Sequence, residues 1–460
     1  MNKSKPKHSA HGLVLGIFLP WIVWWGMAEI PNLVWAGEET SVEAVRKAFE
    51  QGQYPKVIEL AEPLLKKGNA SAPQVQQWYV LALAHTSKTS EALDAYERLV
   101  QDNGREDEVL LKQMAIASIL PLRADMREQM RGAAYTALRE MEAIEAMPYL
   151  EEGLGDQSGM IRALVTEGMG HVAAGRQSKR FRDALKDGAA LVRANVLEGM
   201  AESGDKKMIP IITPFLTDDQ LIVQISAAKA LLGLGQSQYW ERLERGVRSE
   251  DGYERGASIR ALGDLGDPRA VAILEQTIKD SQPSIRAAAV SALGKLQTPS
   301  ALKAVKGAMF DHIPAVRSVA AFSLGNFPPS DVLPVLTSGL QDPNLGVQTA
   351  AVASLLRIGA SFTTVAETVE RLMQDQNPAA RSGVAKALGH GTSQESMVML
   401  KLLIQDPTPR PRITAARSLG RIGHRNSLPI LKRTLRDTDE AVRVTAAAAI
   451  VRILEKPVGT

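Results

Sequence analysis

The sequence predicts an all-α protein, most of which is a right-handed solenoid of stacked helix pairs. Three observations support this fold class. A residue pattern recurs every 31 positions through the last three quarters of the 460-residue chain. Apolar residues within each period return at helical spacing. Aromatic residues make up only 5% of the chain, which suits short helices that pack through small aliphatic side chains.

The composition excludes several classes of function. Cysteine is absent, which excludes disulfides, thiolate metal sites, iron–sulfur clusters and a cysteine nucleophile. The formal net charge of +3 falls to +1 when the three lysines and one glutamate of residues 1–36 are removed. A nearly neutral chain lacks the basic character of a nucleic-acid-binding protein.

Residues 1–36 are expected to be a secretory signal peptide. A start with three lysines precedes an uncharged run at residues 12–28, and Val34 and Ala36 suit a cleavage site after Ala36. The alternative is an uncleaved anchor in the inner membrane, because the seventeen uncharged residues approach the shortest length that spans a bilayer. Both readings place the rest of the chain in the periplasm or another extracytoplasmic compartment.

Residues 37–121 predict a small helical domain. Apolar positions of two helix pairs correspond at an offset of 35 residues, and Gly52 and Tyr54 lie at the turn inside the first pair. This arrangement resembles the tetratricopeptide repeat, which implies two degenerate helix–turn–helix units. In the second pair we expect Lys88 and Ser90 at the positions of the Gly and Tyr. A plain antiparallel helix bundle would show the same periodicity.

Residues 122–460 contain eleven copies of a two-helix unit, each marked by an arginine or glutamine. The step between markers is 31 residues, except for one step of 33. We expect the first helix to hold the marker and to end near a recurrent glycine, and the second helix to start near recurrent prolines. The markers are Arg131, Arg162, Arg193, Gln224, Arg255, Arg286, Arg317, Gln348, Arg381, Arg412 and Arg443. Six residues before them lie Asp125, Asp156, Asp187, Asp218, Ser249, Asp280, Asp311, Asp342, Asp375, Asp406 and Asp437.

This pattern resembles the HEAT repeat, in particular the short kind found in phycobilisome-lyase-like proteins. The resemblance implies a superhelical arc on the order of 100 Å long, with a concave wall for partners. It also implies that the repeated Asp and Arg join neighbouring units in a ladder, with Asp280 and Arg286 as one such pair. Gln224 and Gln348 depart from the pattern, so we expect a weaker ladder there. The recurrence of these Asp and Arg residues in nearly every unit favours a structural role for them, because an active site would need its residues in only one unit.

A basic segment and an apolar helix stand out near the end of the chain. Residues 401–460 carry twelve Lys or Arg against five Asp or Glu. The basic surface is either a soluble end cap or a site for an anionic membrane, a polyanion or an acidic protein. Residues 439–454 predict a helix that is apolar almost all round, which favours packing on the chain itself, on another copy or on a partner. The candidate anionic-partner patch is Lys401, Arg417, Arg421, Arg425, Lys432, Arg433 and Arg436.

No motif in the sequence predicts catalysis. The seven histidines form no His-x-x-x-His or His-Glu pair, unlike the repeated ligands of HEAT-like iron hydroxylases, and no phosphate-binding glycine motif occurs. We therefore expect a non-catalytic envelope scaffold or adaptor that binds proteins, without a cofactor, metal or nucleic acid. The alternatives are a HEAT-like bilin lyase or related chaperone-like enzyme, and a membrane-tethered assembly factor if the N-terminal segment is retained.

Overall fold

The computed structural model describes residues 36–66 and 73–456, and every regular element in these ranges is helical. The predicted leader, residues 1–36, lies outside these ranges except for Ala36, where the first helix begins. Within the described ranges, no helix combines the length and the apolar character that a membrane crossing requires.

Five helices precede the predicted repeats, and twenty-two helices follow within the described residues. Helices α1 to α5 are Ala36–Glu50, Tyr54–Lys66, Pro73–His85, Thr89–Asn103 and Glu108–Ile119. Helices α6 to α16 are Glu128–Glu140, Met147–Gly153, Gly159–Gly170, Ala173–Gln177, Lys179–Asp183, Ala190–Glu202, Ile209–Ile212, Leu221–Gly233, Trp240–Val247, Gly252–Leu265 and Val271–Thr277. Helices α17 to α27 are Pro283–Leu296, Pro299–Ala308, Pro314–Leu324, Pro329–Gly339, Leu345–Arg357, Phe362–Met373, Pro378–Leu388, Gln394–Leu403, Pro409–Ile422, Leu428–Thr434 and Glu440–Glu455.

The helices from α6 onward confirm the predicted all-α solenoid of helix pairs. The first helices of the eleven repeats are α6, α8, α11, α13, α15, α17, α19, α21, α23, α25 and α27, and each packs on the next. The second helices, several of them extended by 3₁₀ turns, pack against the first helices. The apolar residue seven positions after each marker is buried between the layers, as at Leu262, Leu293 and Leu324.

The solenoid closes into a ring. α27, the first helix of the last repeat, packs on α25 and also on α6 of the first repeat. α5 contacts α27, and residues 120–124, which continue from α5, contact α6. α5 and residues 120–124 together therefore take the place of a second helix for the last repeat. The expected arc therefore closes on itself, and the predicted domain boundary at residue 121 falls inside the ring, because α5 takes part in the closure.

Ring closure also corrects the expectation for the last helix. Residues along α27 from Val442 to Ile453 are mostly buried, and Val442, Ile450 and Ile453 have no exposed surface. The sequence suggested self-association because this helix is apolar almost all round. In the structure α5 and α6 of the same chain cover the face that a following helix would have covered.

The two turns within α1–α4 correspond at an offset of 35 residues. Gly52 has a φ of 68° and Ser87 has a φ of 63°, both in the left-handed region that glycine adopts most easily. The second turn therefore has Ser87 and Thr89 at the Gly and Tyr positions, one residue before the expected Lys88 and Ser90. The tetratricopeptide-like assignment of these helices stays a prediction.

The recurrent glycine allows neighbouring first helices to approach closely. A Cβ added to Gly263 would lie 2.6 Å from the Cβ of Ala292, and one added to Gly294 would lie 2.6 Å from that of Ser323. Both glycines lie inside α15 and α17 rather than beyond their ends. At these positions the expected helix-stop role is wrong, and the absence of a side chain sets the helix–helix distance.

Candidate functional site: the inner wall of the ring

The first helices form the inner wall of the ring. A pocket of about 600 Å³ is lined by residues of α15, α17, α19, α21 and α23 and by His390 just beyond α23. Arg260 and His390 both line it although they lie four repeats apart. One pocket can span five consecutive helices only where their shared face is concave. Nearly all its lining residues lie one, two, five, six or nine positions after a marker, which is one face of a helix.

A second pocket continues the first along the wall. Its volume is about 490 Å³, and its lining runs from α23 through α25 to Glu140 of α6 and Arg452 of α27. Gly383 and Lys386 line both pockets, so the two form one continuous inner groove. Most of the lining of the first pocket is Ala, Ser, Thr or Gly, which leaves its floor smooth and free of large side chains.

An aromatic side chain interrupts this smooth floor. Phe322 of α19 is 39% exposed although it is apolar. The guanidinium of Arg357 lies over its ring at 4.4 Å, and the His390 ring meets it edge-on at 5.8 Å. Sequence reasoning missed this group. The available signal was the residue five positions after the marker, which is phenylalanine in this repeat alone.

Carboxylates of α11 and α15 on this wall are paired with lysines. Lys229 of α13 donates to Glu198 at 2.9 Å and to Asp264 at 2.8 Å, and Lys295 donates to Asp264 at 2.5 Å. Burial opposes ionisation of Asp264, but these two lysines lower its pKa below the usual range. Lysines of neighbouring repeats therefore neutralise Glu198 and Asp264.

The basic part of the wall lacks such partners. Burial lowers the pKa of both Arg357 and Arg421, and neither guanidinium has a carboxylate within ion-pair distance. Their Nε atoms, together with His390 Nε2, are buried without a hydrogen-bond partner. Burial and the nearby cations Arg421, Arg357 and Lys386 lower the pKa of His390 to about 4. The two guanidinium groups bind only neutral acceptors among the described residues, because Nη2 of Arg357 donates to the Phe322 carbonyl oxygen and Nη2 of Arg421 to the Lys386 carbonyl oxygen.

The repeated charges form a ladder along the ring. Arg286 donates from Nε and Nη2 to Asp311 of the next repeat at 2.8 and 3.0 Å, and from Nη1 to the carbonyl oxygen of Asp280. The expected pairing of Arg286 with the Asp280 carboxylate is wrong, because that side chain points to the preceding repeat. The Asp311 carboxylate also accepts from the N–H of Ile313, the N-cap residue of α19, so the aspartate precedes the N-cap.

The same two-pronged geometry recurs around the ring, with a looser version between Arg255 and Asp280 at 3.5 Å. Both partners in these pairs are mostly buried, so each pair ties two repeats together through charge-assisted hydrogen bonds. The close pairs are Arg131 with Asp156, Arg162 with Asp187, Arg193 with Asp218, Arg286 with Asp311, Arg317 with Asp342, Arg381 with Asp406 and Arg412 with Asp437.

The ladder changes where the sequence departs from its pattern. Gln224 replaces an arginine, and Ser249 replaces the aspartate of the next repeat that this arginine would bind. Both departures therefore fall in the same Arg–Asp pair, or rung, of the ladder. In both glutamine repeats an arginine of the following helix donates to the amide oxygen, Arg242 to Gln224 at 3.3 Å and Arg371 to Gln348 at 2.9 Å. Arg443, in the last repeat, instead donates to backbone carbonyls of its own repeat.

Much of the candidate anionic-partner patch is paired within the chain. Arg425 binds Glu108, Lys432 binds Glu106, and Arg436 binds Asp94 and Glu97 of the N-terminal helices. The patch is therefore not one free basic surface, because ring closure brings α26 against acidic groups of α4 and α5. Arg417 binds Glu140 and lines the inner groove with Arg421. Lys401 and Arg433 have no carboxylate partner.

Within residues 36–66 and 73–456, no three His, Asp or Glu side chains come together as a group that could hold a metal ion.

Comparison with known families identifies the repeat. The sequence profile of HEAT repeats matches residues 240–312, 311–389 and 396–458. These repeats are HEAT repeats. The predicted family is thereby confirmed for these residues, and the solenoid that contains them is all-α. Comparison with curated proteins gives no significant match.

Several solved HEAT-like structures are similar to this chain. Human deoxyhypusine hydroxylase in complex with glycerol is 19% identical, with 56% of this chain and 98% of that chain covered and a TM-score of 0.29. The CpcE–CpcF complex of phycocyanin lyase from Nostoc sp. is 18% identical, with 52% and 93% covered and a TM-score of 0.34. A mutant of Kap121p is 13% identical, with 89% and 54% covered and a TM-score of 0.36. At these identities and scores, none of the likenesses bears on function.

Proposed function

We propose that this protein is a non-catalytic scaffold of the cell envelope that holds a protein partner on the inner wall of its HEAT ring. The observation that carries the proposal is the continuous groove over the first helices. Its two pockets have volumes of about 600 and 490 Å³ and share Gly383 and Lys386. An extended surface of small side chains suits a polypeptide better than a compact substrate.

The chemistry of the wall supports binding rather than catalysis. Its acidic groups are held by lysines, as Asp264 is by Lys229 and Lys295. Its histidine, His390, has a pKa of about 4, well below the range useful for proton transfer near neutral pH. A catalytic site also needs a nucleophile or acid next to an orienting base, and the groove lining offers cations without a paired base.

The envelope location rests on the leader-like sequence of residues 1–36. Mass spectrometry of the protein isolated from its native cells is expected to find a periplasmic chain that begins at Gly37. An intact Met1 terminus in the membrane fraction would instead favour a tethered assembly factor. A full-length chain in the cytoplasm would contradict export.

Affinity capture from the native envelope tests the binding surface. Ser291 lines the groove on α17, and Ser300 is exposed on the second helix α18. We expect Ser291→Trp to lose a specifically captured protein that wild type and the matched Ser300→Trp retain. Equal capture by all three chains would show that partners do not use the inner wall, provided that both variants keep the wild-type helical content.

A further inference from the structure

The basic part of the inner groove holds more donors than the chain can satisfy. Six residues that line the two pockets are Arg or Lys, and one is acidic. That acidic residue, Glu140, is already bound by Arg417 at 2.7 Å, and Arg452 is bound by Glu142 outside the lining. Arg260, Lys386 and Arg410 have no carboxylate partner, and they face the same concave surface. The charge that would balance them is missing from the described residues.

Buried donors sharpen this imbalance. The Nε atoms of Arg357 and Arg421, and Nε2 of His390, are shielded from solvent and make no hydrogen bond. An unsatisfied buried donor costs about 1–3 kcal/mol. Arg421 does donate weakly from Nη2 to the Lys386 carbonyl at 3.5 Å, which leaves its charge uncompensated. A negatively charged group bound beside these residues would relieve the repulsion between the cations.

The groove beside these donors is apolar and elongated. Phe322 exposes its ring within a floor that also contains Val319 and Ala353. An extended chain can follow the shared face of successive helices. A ligand that fits must therefore combine carboxylates with apolar side chains along its length.

We propose that the inner groove from Arg260 to Arg421 binds an acidic peptide segment of the partner, with an apolar side chain placed on Phe322. Carboxylates of this segment accept from Lys386 and Arg421, which line the groove, since guanidinium groups bind carboxylates in two-pronged fashion. The inference rests on the proposed scaffold function and names the chemistry of the segment that the wall recognises.

A fluorescent twelve-residue peptide of alternating Glu and Leu tests the inference by anisotropy at low salt. The full-length protein is expected to bind it and to ignore the charge-reversed Lys and Leu peptide. Lys386→Gln is expected to weaken binding roughly tenfold, as the loss of one charge-assisted contact implies. The matched control Lys303→Gln, at an exposed lysine of the second helix α18, is expected to change nothing. Equal affinities for these two variants would overturn the inference.

Another variant and two other ligands test which class of molecule the groove binds. Phe322→Ala is expected to weaken the Glu and Leu peptide but to leave binding of an all-Glu peptide nearly unchanged. If inorganic phosphate or a dodecathymidylate binds at Lys386 more tightly than the acidic peptide, the site takes phosphates and the peptide inference fails. Because Lys386 is exposed, its replacement is not expected to disturb folding, which an unchanged thermal unfolding midpoint would verify.

A third readout distinguishes failure of this inference from failure of the scaffold function. NMR titration of His390 is expected to show its pKa rising on addition of the acidic peptide, because a bound carboxylate stabilises the imidazolium. If native partner capture depends on Ser291 while the acidic peptide does not bind, the scaffold stands and the acidic ligand is wrong. If the peptide binds but no native partner depends on the wall, the scaffold function is wrong.

Discussion

Arg417 on α25 donates from Nε to the carboxylate of Glu140 on α6 at 2.7 Å, past the intervening α27. The two residues are 277 positions apart in sequence and belong to the tenth and first repeats. Arg452 of α27 likewise donates to Glu142 at 2.5 Å. Ion pairs on the inner wall thus join the last repeats of the ring to the first.

Ion pairs between the α26 region and the α4–α5 region form a second part of this junction, and neutralising their cations is expected to weaken it. The triple variant Arg425→Gln, Lys432→Gln, Arg436→Gln removes the cations that bind α4, α5 and the segment between them. Exposed ion pairs contribute about 0–1 kcal/mol each, so we expect a loss of about 1–2 kcal/mol in the local opening free energy. Hydrogen exchange of the amides of α4 and α5 measures this change.

Salt and a matched control test the electrostatic origin of that loss. The difference between wild type and the triple variant should shrink in 1 M NaCl, where charges are screened within about 3 Å. A control with the same charge change should leave α4 and α5 unaffected. Faster exchange in the control as well would point to net charge rather than to the junction. The control replaces three exposed lysines away from the junction, Lys179, Lys279 and Lys303.

The ladder can be tested by copying the natural Gln224–Ser249 rung. Arg286 and Asp311 side chains are only 8% and 12% exposed, so Asp311→Ser leaves a shielded cation unpaired and is expected to cost about 2 kcal/mol. The double variant Arg286→Gln, Asp311→Ser should cost clearly less than the sum of the two single changes. A double-mutant cycle from urea unfolding measures the coupling, and additive single effects would show that this rung contributes no pairwise energy.

Glycine substitutions separate close packing from helix propensity. Gly263→Ala would place a Cβ 2.6 Å from Ala292, so we expect overpacking to cost about 1–3 kcal/mol. Gly307 lies in α18 with no atom within 4 Å of an added Cβ, and Gly307→Ala should stabilise by about 0.5–1 kcal/mol. Thermal unfolding compares the two variants. Stabilisation by both would mean that the glycine does not set the distance between α15 and α17.

Acid sensitivity is expected above the range of the carboxylates. Burial, with a smaller effect of Arg123, lowers the pKa of His85 from 6.5 to about 4. Because the unfolded chain protonates this imidazole more readily, the free energy of unfolding should fall as pH drops from about 6.5 to 4. His85→Phe preserves the ring stacked at 3.9 Å on Tyr54 and should weaken this dependence. Unfolding midpoints between pH 7 and 4.5 measure it, with the exposed His424→Asn as a variant expected to behave like wild type.

The repeat made the helix pairs predictable, since the period alone placed markers such as Arg286 in first helices. The resemblance to HEAT repeats implied that Asp and Arg join neighbours, but the expected pair of Asp280 with Arg286 was wrong. Both Asp280 and Asp311 lie at constant spacing from Arg286, six and twenty-five residues away. Only the relative rotation of successive repeats favours the second.

Ring closure and the inner groove were beyond sequence reasoning for a related reason. The rotation from one repeat to the next is small, and its sum over eleven repeats decides whether Arg417 meets Glu140. No single repeat encodes that sum. Phe322 was visible as an aromatic residue at one position of one repeat, yet its exposure depends on the small side chains around it. The basic segment was visible in the sequence, but the partners of Arg425, Lys432 and Arg436 lie more than 300 residues away along the chain.

A closed ring makes the number of repeats a structural constant. An open solenoid can gain or lose a 31-residue unit with a new interface at one place and no change elsewhere. Here the removal of one unit would require each remaining interface to turn further, against contacts already limited by glycine at Gly263 and Gly294. Insertions and deletions of whole units should therefore be far less tolerated in this chain than changes in loop length, and its length is set by geometry as much as by function.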